Sequence, residues 1–176
     1  MNLYLEPHAA SPAPEGRHVK VAITRRGGML DIVYVIEGPT ELLEIPAPAK
    51  SYRTDGLWRS TCLELFVRGP GSAYHEFNFA PSTEWAAYRF SGRREGMEPL
   101  ELDTPPRIRV SDEAAALIVS VQLEELGDGP LTVGLSAVVA EKDGTISYWA
   151  LKHPPGAADF HDPACFALAL PAVRTV

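Results

Sequence analysis

Several things are scarce in this sequence, and each scarcity excludes a class of protein. Two cysteines, Cys62 and Cys165, stand in 176 residues. That is too few for a disulfide scaffold, and they read as two buried thiols or, less simply, one bridge. No run approaches the roughly 18 consecutive apolar residues of a membrane span. Residues 1–17 lack a basic stretch followed by an apolar one, so a cytoplasmic location is expected. Positive charge is short as well. The formal net charge is −7, which repels phosphate backbones and anionic lipid, so neither nucleic acid nor membrane is an expected partner. The basic pair Arg93-Arg94 has no interleaved aromatics. There is no G-x-S-x-G, no phosphate-binding glycine loop and no H-E-x-x-H, so nothing marks an enzyme.

What is present is turn chemistry at short intervals. Fourteen Gly and sixteen Pro punctuate apolar runs in a chain that is 45% hydrophobic, enough for a core without staples. The runs predict strands over residues 19–24, 29–37, 62–68, 74–80, 84–90, 107–111, 114–123, 131–140, 146–150 and 165–170, with 3–6 as a further one. Asp143-Gly144 supplies the positive φ of a tight hairpin. About ten strands and little helix, with no alternating βα pattern, predict one all-β domain over residues 1–176: a two-sheet antiparallel sandwich of the jelly-roll kind. Leu63, Leu65, Val67, Phe77, Phe79, Tyr88, Val119, Val121, Val133 and Leu135 are expected between the sheets.

Side-chain alternation along the strands separates an apolar face from a mixed one. Glu64 and Phe66 oppose Leu63, Leu65 and Val67; Tyr74, Glu76 and Asn78 oppose His75, Phe77 and Phe79. Trp85 and Arg89 are expected on a mixed face, opposed to Tyr88 and Phe90; Gln122 and Trp149 belong to mixed faces too. On one sheet these residues would make a patch of flat rings among amide, guanidinium and carboxylate groups. Rings cover the apolar C–H face of a pyranose, and planar polar groups bind its hydroxyls. The simpler reading is an ordinary solvated outer face. Glu64 and Glu76 could also be imagined as a carboxylate pair flanking a glycosidic bond.

The run Leu57-Trp58-Arg59-Ser60-Thr61-Cys62-Leu63-Glu64-Leu65-Phe66-Val67, followed by Tyr74-His75-Glu76-Phe77-Asn78-Phe79-Ala80-Pro81, resembles the DOMON-like superfamily. Within it the chain looks like family 9 carbohydrate-binding modules and their bacterial stand-alone relatives. The stretch from Trp149 to Phe166 is similar to the family's C-terminal pattern, so the resemblance covers the whole chain. It implies a jelly-roll fold and a sugar held between two tryptophans. Trp58 resembles the first, with Glu64 as a hydroxyl-binding carboxylate; Arg89, Gln122 and Trp149 are further matches, and Trp85 is an alternative second ring. Asn78 shares the face of Glu76 and completes the expected ligand-binding set.

The expected function is thus a non-catalytic module for a carbohydrate or similar polyhydroxylated small ligand, without cofactor or metal. The alternative is a haem- or metal-binding redox or sensing domain on the same fold, since DOMON relatives include haem binders. Met29, Met97, His75 and His153 supply axial-ligand types, and His153, Asp159, His161 and Asp162 lie within ten residues, but no spacing marks a site.

Overall fold

A computed structural model describes residues 1–124 and 126–173. Among them are twelve strands and three single-turn 3-10 helices. The strands are β1 (Asn2–Pro7), β2 (His18–Arg26), β3 (Met29–Glu37), β4 (Cys62–Arg68), β5 (Tyr74–Phe79), β6 (Trp85–Phe90), β7 (Glu98–Pro99), β8 (Arg107–Glu113), β9 (Ala116–Leu123), β10 (Leu131–Ala140), β11 (Ile146–Ala150) and β12 (Leu168–Leu170). The main path runs β7-β6-β5-β4-β10-β11-β1-β2-β3-β9-β8, and β12 adds to β10.

All twelve strands pair antiparallel, and the path forms one strongly curled sheet. The joint is β1. Its residues 2–5 pair with β2, while Glu6 and Pro7 pair with β11. One short strand thereby carries the hydrogen-bond ladder from one half of the molecule to the other. The predicted strand at 165–170 begins instead with a 3-10 turn, Pro163–Cys165. Asp162 starts that turn, its carboxylate accepting from the Ala164 N–H at 2.8 Å, and Pro163 needs no N–H there. The predicted hairpin at Asp143-Gly144 is present, with Gly144 at φ 90°.

The curled sheet encloses one main core. Val19, Val21, Ile32, Tyr34, Ile36, Val119 and Val121 come from one half; Leu63, Leu65, Phe77, Phe79, Leu135 and Trp149 come from the other. Each such side chain contributes about 1.5–3 kcal/mol by leaving water. Tyr34 spans the two halves, its hydroxyl donating to the Glu64 carbonyl at 2.7 Å. Both cysteines are free and buried.

All ten residues expected inside are buried, but Tyr88 lies on the other side of its strand. β4, β5, β6, β10 and β11 are covered on both faces. Their outer face holds a second apolar cluster of Cys62, Phe66, Tyr74, Tyr88, Phe90, Val138, Phe160 and Phe166. The chain from Lys152 to Ala167 lies over this face, and its anchor is Asp159. That carboxylate accepts hydrogen bonds from Arg93 and Arg94, which sit in the turn after β6.

Candidate functional site

Pairing register places the site's polar groups. Across β4 and β5, Glu64 stands opposite Asn78, and Phe66 opposite Glu76. Glu76 in turn faces Tyr88 on β6, and Glu64 faces Ser136 on β10. Because side chains alternate, Glu64, Phe66, Tyr74, Glu76, Asn78, Tyr88 and Ser136 all point to the outer face. They meet the covering segment there, and the two surfaces do not close fully. A cavity of about 630 Å³ remains, lined by Trp58, Glu64, Glu76, Phe90, Arg94, Met97, Val138, Tyr148, Ala157, Ala158, Phe160 and His161.

The two carboxylates are nearly sealed, at 3% exposure for Glu64 and 5% for Glu76. Glu64 accepts from the Ser136 hydroxyl at 3.3 Å, and Glu76 accepts from the Asn78 amide at 2.9 Å. Burial pushes both carboxyls above the ordinary range, Glu64 well above it, and the charge of Glu76 raises Glu64 further. Ser136 and Asn78, with the Arg94 guanidinium, offset only part of that rise.

The wall opposite is held by a relay. The Tyr74 hydroxyl accepts the Arg94 backbone N–H at 3.2 Å and shares a hydrogen bond with His161 Nδ1 at 2.7 Å. The other ring nitrogen, Nε2, faces Glu76 Oε2 at 3.7 Å, beyond hydrogen-bond reach. Burial, with repulsion from Arg94, lowers the His161 pKa to about 4, so the ring is neutral near pH 7. Phe66 and Phe90 meet its edges at centroid distances of 5.1 Å.

Trp58 stands on the rim. Gly56, at φ 79°, turns the chain into the 3-10 helix Leu57–Arg59, and the indole leans edge-on against Tyr88 at 6.3 Å. The ring is 40% exposed. Tyr88 is itself fixed, its hydroxyl donating to Asp55 at 2.6 Å.

Of the seven residues expected to bind a ligand, Trp58 and Glu64 line the cavity, and Asn78 supports it from beneath through Glu76. The structure does not bring the other four there. Trp149 faces the main core at 2% exposure, its indole N–H donating to Ser147. Trp85 also packs in the main core. Arg89 is exposed and pairs with Glu98 at 2.8 Å. Gln122 lies on β9 in the other half, donating to Asp31 at 2.8 Å. For β6 and β11, alternation correctly divides each strand into two sets but does not say which set faces inward, since each set carries a large ring: Trp85 against Tyr88 and Phe90, and Trp149 against Tyr148. Tyr88, Phe90 and Tyr148 therefore go to the outer face, and Trp85 and Trp149 to the core.

Arg94, Met97, Phe160 and His161 reach the cavity from loops, where no strand period marks them. The polar residues of the 153–162 segment are engaged within the fold. His153 bonds the Glu6 carbonyl at 2.8 Å, Asp159 holds the two arginines, and Asp162 pairs with Arg93 at 2.9 Å. Among the described residues, no group of three or more His, Cys, Asp or Glu is placed to hold a metal ion.

No protein-family model matches this chain, and no curated protein matches it. Solved structures do share its fold. A candidate carbohydrate-binding protein from Bacteroides uniformis superposes with a TM-score of 0.68 at 14% identity, over 94% of this chain and 83% of its own. A family 9 carbohydrate-binding module from Caldicellulosiruptor kristjanssonii, in complex with glucose, gives 0.50 at 9% identity over 86% of this chain and 76% of its own. A module of the same family and organism with cellotriose gives 0.52 at 8%, over 88% and 75%. At such identities the likeness is one of fold: this chain is built like the family 9 modules, as the segment around Trp58 and Glu64 led us to expect.

Proposed function

We propose that this protein is a non-catalytic binding module for a carbohydrate or similar polyhydroxylated small ligand, taken up in the cavity outside β4, β5 and β6. The observation that carries the reading is one juxtaposition. A partly exposed indole, Trp58, stands at the mouth of a cavity whose floor holds Glu64 and Glu76 and whose walls include Phe90, Tyr148 and Phe160. Rings of that kind cover sugar C–H faces, and carboxyl groups accept or donate hydroxyl hydrogen bonds. The volume lies within the usual range for small-ligand pockets, about 300–1,000 Å³. The glucose and cellotriose bound by modules of similar fold support a sugar-like ligand here.

Binding fits better than bond cleavage. Glu64 and Glu76 lie side by side on neighbouring strands of the cavity floor, whereas a hydrolysing pair flanks the bond it cleaves. We read the chain as one DOMON-like jelly-roll domain, acting in the cytoplasm, where free buried thiols are at home.

The test is a tryptophan-fluorescence titration of the full chain with mono- and oligosaccharides. We expect a saturable change that Trp58→Ala abolishes, while that variant loses only about 1 kcal/mol of stability. No response to any sugar in the parent protein, with a collapse of the Trp58→Ala melt, would show the ring to be a structural plug.

A further inference from the structure

The cavity floor is short of hydrogen-bond donors. Glu64 Oε2 has Ser136, and Glu76 Oε1 has Asn78. Glu64 Oε1 and Glu76 Oε2 accept no hydrogen bond from the described residues; His161 Nε2 stands 3.7 Å from the latter. Asn78 Oδ1, fully buried directly opposite Glu64, has no partner either. A protein leaves buried acceptors unmatched only at a cost. Asn78 lies beneath the floor and does not line the cavity; the two carboxylate oxygens that do line it, Glu64 Oε1 and Glu76 Oε2, mark a position for donors from elsewhere.

Charge points the same way. The cation that lines the cavity is Arg94, and its Nε and Nη2 are both engaged by Asp159 Oδ1, at 3.1 and 2.9 Å. His161 is neutral near pH 7, and Tyr74 is kept protonated. Cys62, on the same face, is likewise held as the thiol by burial. No cation lining the floor therefore pairs directly with Glu64 or Glu76; Arg94 acts on both only at longer range.

We infer that the ligand presents a protonated amine to Glu64 and Glu76, as a 2-amino sugar of the glucosamine kind does, with its ring against Trp58 and Tyr148. An ammonium brings three donors and a positive charge, the complement of two neighbouring carboxyl groups that no cation pairs with directly. A neutral hydroxyl brings one donor and adds acceptor lone pairs to a site already rich in them. The inference rests on the proposed sugar site and narrows it. On binding, one carboxyl ionises against the ammonium and releases its proton to solvent while the other keeps its own, so the site stays neutral.

The experiment compares glucosamine, N-acetylglucosamine and glucose by calorimetry on the full chain, below the pKa of the free amine. The three share a ring and differ in charge at one position. We expect glucosamine to bind at least about tenfold more tightly than the other two, as one charge-assisted hydrogen bond to a buried carboxylate allows. Proton release should show as a dependence of the binding heat on buffer ionisation enthalpy. Glu64→Gln and Glu76→Gln, near-isosteric and checked by thermal melts, should each erase that preference. Glucose binding as tightly as glucosamine would overturn the inference and leave the sugar site standing. Silence from all three sugars would overturn both, and a glucosamine preference that survives both substitutions would overturn the assignment to the floor.

Discussion

β4 and β5 bury both of their faces, and the two faces are buried in different ways. Inward, Leu63, Leu65, Val67, Phe77 and Phe79 meet the other half of the sheet with apolar atoms alone. Outward, Glu64, Phe66, Tyr74, Glu76 and Asn78 meet a covering segment that is itself held by ion pairs from Asp159. The inner face is dry, and its energy is additive burial. The outer face keeps carboxyls, an amide and an imidazole out of water with incomplete partners, which costs stability and is tolerated where a ligand gains from it. A β-strand exchanges one environment for the other by a single residue step, so the contrast is sharp within one strand pair.

The contrast can be broken most heavily from the inner side. Trp149, though its neighbour Tyr148 lines the cavity, belongs to the dry face. Trp149→Ala should cost about 3–5 kcal/mol in denaturant unfolding, the usual loss for a large buried ring. A loss below about 1 kcal/mol would mean that the ring is not a core element.

The next effect is a pH dependence confined to the outer face. Unfolded, a histidine takes its proton near pH 6.5; folded, His161 does so near 4. Between those values the unfolded chain binds the extra proton, so stability falls as pH drops from about 6.5 to 4, by up to about 3 kcal/mol. Glu64 and Glu76 work in the opposite sense. Their raised pKa values contribute stability fully below the unfolded carboxyl range, and it is lost as pH rises through the folded values. Equilibrium unfolding of the parent and of His161→Asn isolates the histidine, because the carboxyl contribution is common to both. The parent should lose more stability than the variant across that window, and equal slopes would contradict it.

The smallest effect sharpens the boundary of the site. Arg89 shares β6 with Tyr88 and Phe90 but points the other way, in an exposed pair with Glu98. Arg89→Ala should change stability by about 0.5 kcal/mol or less. It should also leave any fluorescence response to sugar intact; loss of that response would extend the site to the opposite side of the strand.

Much of this was legible in the residues themselves. Turn-forming Gly and Pro between short apolar runs determined an all-β chain, with strand positions close to those observed, because local backbone preference and period-2 patterning are properties of neighbours in sequence. The segment around Trp58 and Glu64 was enough to indicate the fold relatives and two of the cavity's lining residues. Which set of side chains on β6 and β11 faces the core was decided only by tertiary structure. Each set carries large rings there, and with both faces covered the set that includes a polar residue, Arg89 or Ser147, is the one that turns Trp85 or Trp149 to the core. The same holds for Arg94 and His161, brought to the carboxylates from two loops far apart in sequence. The contacts that hold them there, to Asp159 and to Tyr74, exist only once the sheet has curled and the Lys152–Ala167 segment has closed over it.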